Sequence, residues 1–369
     1  MKRYFEEIVQ AINNSPNLKW KAKYNPFGMR SPIFDALFHE HSSKNIVVNK
    51  MIDKNFMNDI RKFHESNLMK EHIERLRNFP AQQLPDEFDA RKKWPLCSTI
   101  HDVPNQGGCG SCFAIAAAGV ASDRICIATN ATVQVILSAD DIISCCAGCG
   151  TCIGGDPLKV MIYWVNHGIV TGGPGGCRPY SYNIKCGVPC PLLEFVKNAK
   201  RQKCHQKCQK SYYWNDYIND KHYASIAYTM VPRVISLAGY GNIVVPAVTD
   251  YFNTKIINNV TKSFPAQETR EILKKEIYLS GPITMAFPVA EEFLHYAKGI
   301  YSPYPENGFK NRIIYWHVVR IIGWGHDVDG TFYWIAINSY GRNWGEYGLF
   351  RIDTRFLEQF GLEYEAALV

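Results

Sequence analysis

The stretch Asn105-Gln106-Gly107-Gly108-Cys109-Gly110-Ser111-Cys112-Phe113-Ala114 decides how the chain reads. It joins a glycine-rich loop to an apolar, alanine-rich run that continues to Ala121. The run predicts a buried helix whose first turn carries Cys112. A helix N-terminus presents partial positive charge and unpaired N–H groups, a field that favours a thiolate over a thiol. The preceding glycines allow close approach of backbone to substrate, and the Gln106 amide could donate to an oxyanion. Taken alone, Cys109-Gly110-Ser111-Cys112 is also a Cys-x-x-Cys redox pattern, and a structural disulfide would account for either cysteine. A nucleophilic Cys112 requires an imidazole base and a group that orients it.

Both requirements are met far downstream. His317 lies in Tyr315-Trp316-His317-Val318-Val319-Arg320-Ile321-Ile322-Gly323-Trp324-Gly325, at the start of a strand-like run. Asn338 lies in Asn338-Ser339-Tyr340-Gly341-Arg342-Asn343-Trp344-Gly345, at the end of another. A lone histidine beside an apolar strand is more often structural than catalytic. The joint occurrence in chain order Gln, Cys, His, Asn, each among glycines and aromatics, is much harder to dismiss.

The chain has 369 residues, 46% apolar and 20% charged, an ordinary globular composition that suggests two or three domains. No apolar run reaches the length needed to cross a bilayer, so no membrane span is expected. Behind Met1-Lys2-Arg3 there is no apolar segment, so a signal peptide is absent from this chain. Of the net charge of +7, residues 1–84 carry +5, from 14 Lys and Arg against 9 Asp and Glu. No aromatic-interleaved basic stripe accompanies it, which argues for a solvated basic segment rather than a nucleic-acid surface.

All thirteen cysteines fall between Cys97 and Cys208. That density means disulfides or metal, and the odd count leaves at least one thiol outside any full set of pairs. Disulfides imply an oxidising route, lysosomal or secreted. Sequons at Asn13, Asn130 and Asn259 are compatible with it.

Three parts follow. Residues 1–84 are Cys-free, with apolar positions Phe5, Ile8, Val9 and Ile12 at helical spacing and a second, longer stripe through Phe56, Ile60, Phe63, Ile73 and Leu76. Pro80 and Pro85 mark an extended connector. Residues 85–215 are Cys-rich, and residues 216–369 are rich in β-like runs.

These motifs resemble the papain-type cysteine proteases, and among them the sequence is similar to cathepsin B. Leu84-Pro85-Asp86-Glu87-Phe88-Asp89-Ala90-Arg91 resembles the start of the mature enzyme, and Ser122-Asp123-Arg124-Ile125-Cys126-Ile127 and Gly176-Cys177-Arg178-Pro179-Tyr180 are further matches. Residues before Leu84, including Trp20-Lys21-Ala22, resemble the inhibitory propeptide. The resemblance implies an α+β papain-like two-domain fold: a helical prosegment (1–84), a helical left domain with the catalytic Cys (85–215), and a β-barrel-like right domain with the catalytic His and Asn (216–369).

It also implies roles. Cys112 is the nucleophile, His317 its base and acid, Asn338 the orienting group, and Gln106 with the Cys112 N–H the oxyanion hole. Gly154 and Gly155 match the pair that binds substrate backbone. Trp316, Tyr340 and Trp344 line the cleft. Glu365 matches the acid at the bottom of the S2 pocket, implying tolerance of a basic P2 side chain. Twelve cysteines would pair as 97–126, 109–152, 145–204, 146–149, 177–208 and 186–190, leaving Cys112 free. As an alternative, Cys145, Cys146, Cys149 and Cys152 could ligate zinc with His205 nearby, but that leaves the contexts of Gln106, His317 and Asn338 unexplained. No metal or cofactor is expected. The partners expected are peptide or protein substrates and the chain's own prosegment as inhibitor, on a monomer, with acidification loosening carboxylate-dependent prosegment contacts.

The chain departs from the pattern in places. Phe113 and Tyr340 stand where the family has Trp, and Tyr315-Trp316 stands where it has Gly-Gly. Two rings beside His317 could narrow or block the cleft, which leaves a papain-fold binding protein with little turnover as the alternative. Only Gly187, Val188 and Pro189 lie between Cys186 and Cys190, so the paired histidines of the cathepsin B occluding loop are missing and endopeptidase activity is expected. Between Tyr223 and Gly281 the chain is longer than usual, and Val231 to Thr261 carries the excess; a surface insertion of this kind costs little.

Overall fold

The central helix forms because its sequence is apolar on every face. The computed structural model describes residues 2–26, 54–187, 190, 192–198, 203–209, 213–237, 241–252, 266–305 and 307–369. The longer helices are α1 (Lys2–Asn14), α2 (Lys54–Glu65), α3 (Asn67–Asn78), α4 (Cys112–Ala128), α5 (Ala139–Cys145), α6 (Pro157–His167) and α7 (Ala266–Ser280). In α4, every residue from Cys112 to Cys126 except Gly119 is buried.

The strands are β1 (Trp20–Ala22), β2 (Phe88–Asp89), β3 (Gly150–Thr151), β4 (Gly154–Gly155), β5 (Ile226–Thr229), β6 (Arg233–Leu237), β7 (Gly241–Val245), β8 (Ile283–Ala290), β9 (Tyr296–Tyr301), β10 (Ile313–His326), β11 (Phe332–Ile337), β12 (Leu349–Ile352) and β13 (Glu365–Leu368). Seven of them form one sheet in the order β1-β9-β12-β11-β10-β2, with β8 also paired to β10.

This is an α+β, papain-like, two-lobed fold, but the β-rich lobe is not barrel-like as expected. A barrel closes only when its two edge strands pair. Here β1 forms one edge, while β8 and β2 lie end to end along the opposite side of β10 from β11. The outer side of β8 meets a single bridge, Ala286 to Glu363, and β13 pairs with β5 in a separate two-stranded sheet. Among the described residues no sheet closes.

The lobes meet where α4 lies against β10. Arg320 of β10 reaches Asp123 of α4 at 2.7 Å and donates to the carbonyls of Thr99, Gly119 and Asp102. Gly119 permits this approach, since a Cβ there would sit 3.1 Å from the guanidinium. Six disulfides stitch the Cys-rich part: Cys97–Cys126, Cys109–Cys152, Cys145–Cys204, Cys146–Cys149, Cys177–Cys208 and Cys186–Cys190.

The N-terminal segment docks at both of its described ends. Strand β1 extends the sheet through β9, with Trp20 opposite Gly299. Asn13 fixes the turn into β1, donating to the Ala22 carbonyl and accepting from its N–H, both at 2.9 Å. The long apolar stripe expected through Phe56 to Leu76 is two helices. Ser66 divides them: its hydroxyl accepts from the Met69 N–H and donates to the Phe63 carbonyl, which caps α3. Phe56, Ile60, Phe63, Met69, Ile73 and Leu76 are buried, each contributing roughly 1.5–3 kcal/mol. Pro80 and Leu84 are extended around a short turn at Ala81–Gln83, and Gln82 and Gln83 are exposed.

Candidate active site

Helix α4 carries the candidate nucleophile and strand β10, packed against it, the candidate base. Cys112, the first residue of α4, is the free cysteine among the described residues. The backbone amides of Val318, Phe113 and Cys112 itself pull its thiol toward the thiolate. Val318 directly follows His317, so the thiol lies against the strand that carries the imidazole. His317 Nε2 lies 2.7 Å from Asn338 Oδ1. An amide oxygen only accepts, so Nε2 carries the proton and Nδ1 is left with its lone pair. The Ser339 N–H donates to the same Oδ1 at 2.7 Å, fixing the Asn338 side chain.

Gln106 is clamped from two directions. Its Oε1 accepts from the Ser339 hydroxyl at 2.6 Å, and its Nε2 donates to the Cys109 carbonyl at 3.0 Å. The second Nε2 hydrogen remains for an oxyanion. Its main chain is held too, by its N–H to the Ser339 carbonyl at 2.8 Å and by the Tyr180 hydroxyl donating to its carbonyl at 2.7 Å. Tyr180 also bonds the Ser111 hydroxyl, 2.6 Å away. Sequence reasoning missed Ser339 and Tyr180 as positioning groups, although both stand inside the motifs quoted above.

Burial opposes the expected thiolate in this covered site. Burial pushes the Cys112 thiol up to about 11, against the pull of the amides. Burial likewise lowers the His317 imidazole to about 4, with the Asn338 bond opposing it. Both directions oppose a thiolate–imidazolium pair while the site is covered, desolvation acting against the helix N-terminal field. Tyr340 is stacked on His317 at 5.0 Å between ring centroids, and Tyr315 meets it edge-on at 6.0 Å. The two phenol hydroxyls bond each other.

The other predicted residues are distributed differently. Gly154 and Gly155 form β4, paired to Gly150 and Thr151. A Cβ on Gly155 would lie 2.4 Å from the Phe113 ring, so this glycine is required by packing whatever it does for substrate. Trp316 is half-buried against the core. Trp344 is buried among Phe293, Tyr296 and Phe350 and donates to the Leu294 carbonyl at 3.2 Å. Glu365 is fully buried, accepting from Thr284 at 2.9 Å and paired with Arg233 at 3.2 Å. Arg233 also holds Asp156 and Glu363, each at 3.0 Å. Burial, with three carboxylates on one guanidinium, raises Glu365 to about 8. Arg233 comes from the insertion, and no motif signals it.

Of the sequons, Asn130 is exposed. The Asn13 amide is committed to Ala22, so a glycan there would break both bonds. Asn259 lies outside the described residues, as do Val188 and Pro189. Cys145, Cys146, Cys149 and Cys152 are all engaged in disulfides.

A cysteine at a buried helix start and an asparagine-oriented histidine on the strand packed against that helix are the parts a thiol hydrolase uses. The chain belongs to the papain family of cysteine proteases: the model of that family, "Papain family cysteine protease", matches residues 84–250 and 246–369. It is similar to cathepsin B-like cysteine proteinase 5 of Caenorhabditis elegans, 36% identical over 299 residues, which is 78% of this chain and 74% of the relative. It is also similar to a cathepsin B-like cysteine proteinase of Schistosoma japonicum, 31% identical over 361 residues, covering 94% and 85%. The fold is shared with the structure of proCathepsin B S9 from Trypanosoma congolense, at a TM-score of 0.62 and 23% identity, covering 100% of this chain and 97% of that one. No helix among the described residues is long and apolar enough to cross a membrane.

Proposed function

We propose that the chain is the zymogen of an endopeptidase in which Cys112, His317, Asn338 and Gln106 carry the chemistry. The observation that carries this is the His317 Nε2–H donated to Asn338 at 2.7 Å on the strand that packs against the helix begun by Cys112. Once substrate enters, His317 Nδ1 takes the thiol proton as sulfur attacks the peptide carbonyl. The oxyanion forms against the Gln106 amide and the Cys112 N–H. His317 returns the proton to the leaving amine, and water, deprotonated in turn by His317, cleaves the thioester.

The closed turn between Cys186 and Cys190 offers no histidine to hold a substrate's terminal carboxylate, which supports internal cleavage. The segment 1–84 acts as the inhibitor, and cutting at the exposed connector releases it. Six disulfides support passage through an oxidising compartment, so the enzyme is lysosomal or secreted.

The tyrosine pair over His317 favours a second reading, a papain-fold binding protein with little turnover. One experiment separates the two. After removal of residues 1–84, a peptidyl epoxide should modify Cys112 stoichiometrically, and an internally quenched peptide should be cleaved away from its ends. Absence of both would leave the binding protein. Dipeptide release from C-termini with little internal cleavage would overturn the endopeptidase assignment.

A further inference from the structure

The insertion and the helix pair α2–α3 are two features that the catalytic reading leaves without a task, and they meet each other. The turn Val248–Tyr251 follows β7 within the insertion. The Tyr251 ring lies flat on the His64 imidazole at the end of α2, with centroids 5.7 Å apart and planes 7° apart. His64 Nδ1 and the Tyr251 hydroxyl are 3.0 Å apart, and that hydroxyl is 3.0 Å from the His64 carbonyl. One hydroxyl proton suffices for this: Tyr251 donates to the carbonyl and accepts from Nδ1–H. Arg77, at the end of α3, donates to the Tyr251 carbonyl at 3.0 Å and places its guanidinium 5.7 Å from the Phe252 ring centroid. Both helices thus hold Tyr251, and α3 reaches Phe252 as well.

The chain just beyond the insertion continues the contact. His72 of α3 lies 2.7 Å from Glu276 of α7, and Arg75 donates to the Ser280 hydroxyl at 2.5 Å. Arg124 holds the other Glu276 oxygen at 2.8 Å, so this carboxylate is matched from both sides. On the opposite flank, Asn166 of α6 donates to Asp59 of α2 at 2.9 Å. The first docking site of the N-terminal segment uses different residues: β1 pairs with β9, Tyr4 donates to Glu291 at 2.6 Å, and Phe5 and Tyr24 pack on His295. No described contact is shared between the two.

We propose that the insertion is a docking platform for α2–α3, a second anchor of the prosegment that is independent of the β1–β9 anchor and outlasts cleavage of the connector. The proposal rests on reading residues 1–84 as a prosegment. Its occupant is residues 54–78 of this chain, because the stacked pair, the cation over Phe252 and the His72–Glu276 contact are already formed by them. Release then takes two separable undockings after one cut.

The test uses the full-length chain, nicked between Phe79 and Leu84 by an added protease at neutral pH, with hydrogen exchange followed by mass spectrometry. In the unsubstituted chain both 2–22 and 54–78 should keep slow exchange after nicking. Tyr251→Ser should speed exchange across 54–78 at least tenfold and leave 2–22 unchanged. Arg77→Ala, at an exposed position, should give a smaller change in the same direction, so a folding defect at Tyr251 cannot mimic the result. Unchanged exchange of 54–78 in both variants, or equal acceleration of 2–22, would overturn the proposal. Epoxide labelling of the fully processed chain is scored separately, so a failed protease reading would show there and not in the exchange.

Discussion

The catalytic cleft and the prosegment interface treat imidazole alike for opposite ends. His317 in the cleft, His295 beneath α1, and His64 on Tyr251 are each lowered to about 4 by burial. In the cleft, neutrality leaves Nδ1 able to take a proton, and the Asn338 bond holds the ring for it. At the interface, neutrality is only a condition of being covered. His295 accepts from the Asn25 N–H at 3.0 Å and is sandwiched by Phe5 and Tyr24, all from the prosegment. The lesson is that one physical term, desolvation, readies a base in one region and makes docking acid-labile in the other.

The comparison breaks first at the cleft. His317→Ala should lower kcat/KM at least about 10⁴-fold, roughly 5.5 kcal/mol, while Asn338→Ala should cost about 10–100-fold, because the ring keeps its chemistry and loses its orientation. Steady-state kinetics on the processed enzyme measure both. Equal losses would mean that Asn338 does more than orient.

The next effect is at the interface. The sign follows from direction: the covered His295 lies below its ordinary value of 6.5, so docking is at full strength above that pH and weakens as pH falls toward about 4. At pH 5 the loss is about 2 kcal/mol if the released ring returns to its ordinary value. Glu291 and Glu292 share its turn. Glu292 contacts Arg312, Tyr301 and Tyr304 rather than the described prosegment, so its burial is common to both states and cancels. Glu276, under α3, is held well below the carboxylate range by His72 and Arg124 despite its burial and stays ionised. The His295 imidazole therefore adds an acid-release element beside the Glu291 carboxylate that Tyr4 contacts. His295→Leu should shift acid-driven release of the nicked prosegment to lower pH, read by size-exclusion against pH. An unshifted midpoint would return the role to carboxylates.

A third test sharpens the cleft side. Tyr315→Gly removes one of the rings that bury the pair and whose ionisation is coupled to the Cys112 charge. The Cys112 thiol should then fall from about 11 by at least about one unit, roughly 1.4 kcal/mol. The pH profile of epoxide labelling would show it.

Much of this was legible in the sequence for reasons that can be named. Chemistry that needs fixed residue types at fixed places, such as Gln106, Cys112, His317 and Asn338, leaves local glycine and aromatic context. The family resemblance is matched by the comparisons over most of the chain. What escaped are contacts between segments far apart in sequence. Arg233 reaches Glu365 across 132 positions, and nothing near either residue announces the other. The burial that opposes the Cys112 thiolate is a property of the packed site, where Tyr315 and Tyr340 lie against His317, and sequence read these rings only as narrowing or blocking the cleft. Sheet closure depends on pairing between edges, and a list of strand-like runs carries no such information.

The smallest expected effect concerns Ser66, where a single hydroxyl converts one amphipathic stripe into two helices. Its hydroxyl accepts from Met69 and donates to Phe63, so Ser66→Ala removes both bonds and should cost about 1 kcal/mol. The loss falls between His64 and His72, the two residues through which α2–α3 reaches Tyr251 and Glu276. The variant should therefore raise exchange across 54–78 about fivefold at neutral pH, leave 2–22 unaffected, and leave kcat/KM of the processed enzyme unchanged because residues 1–84 are gone from it. If instead the pH of prosegment release moved as far as in His295→Leu, the two anchors would act as one unit and the contrast between cleft and interface would reduce to a single cooperative closure.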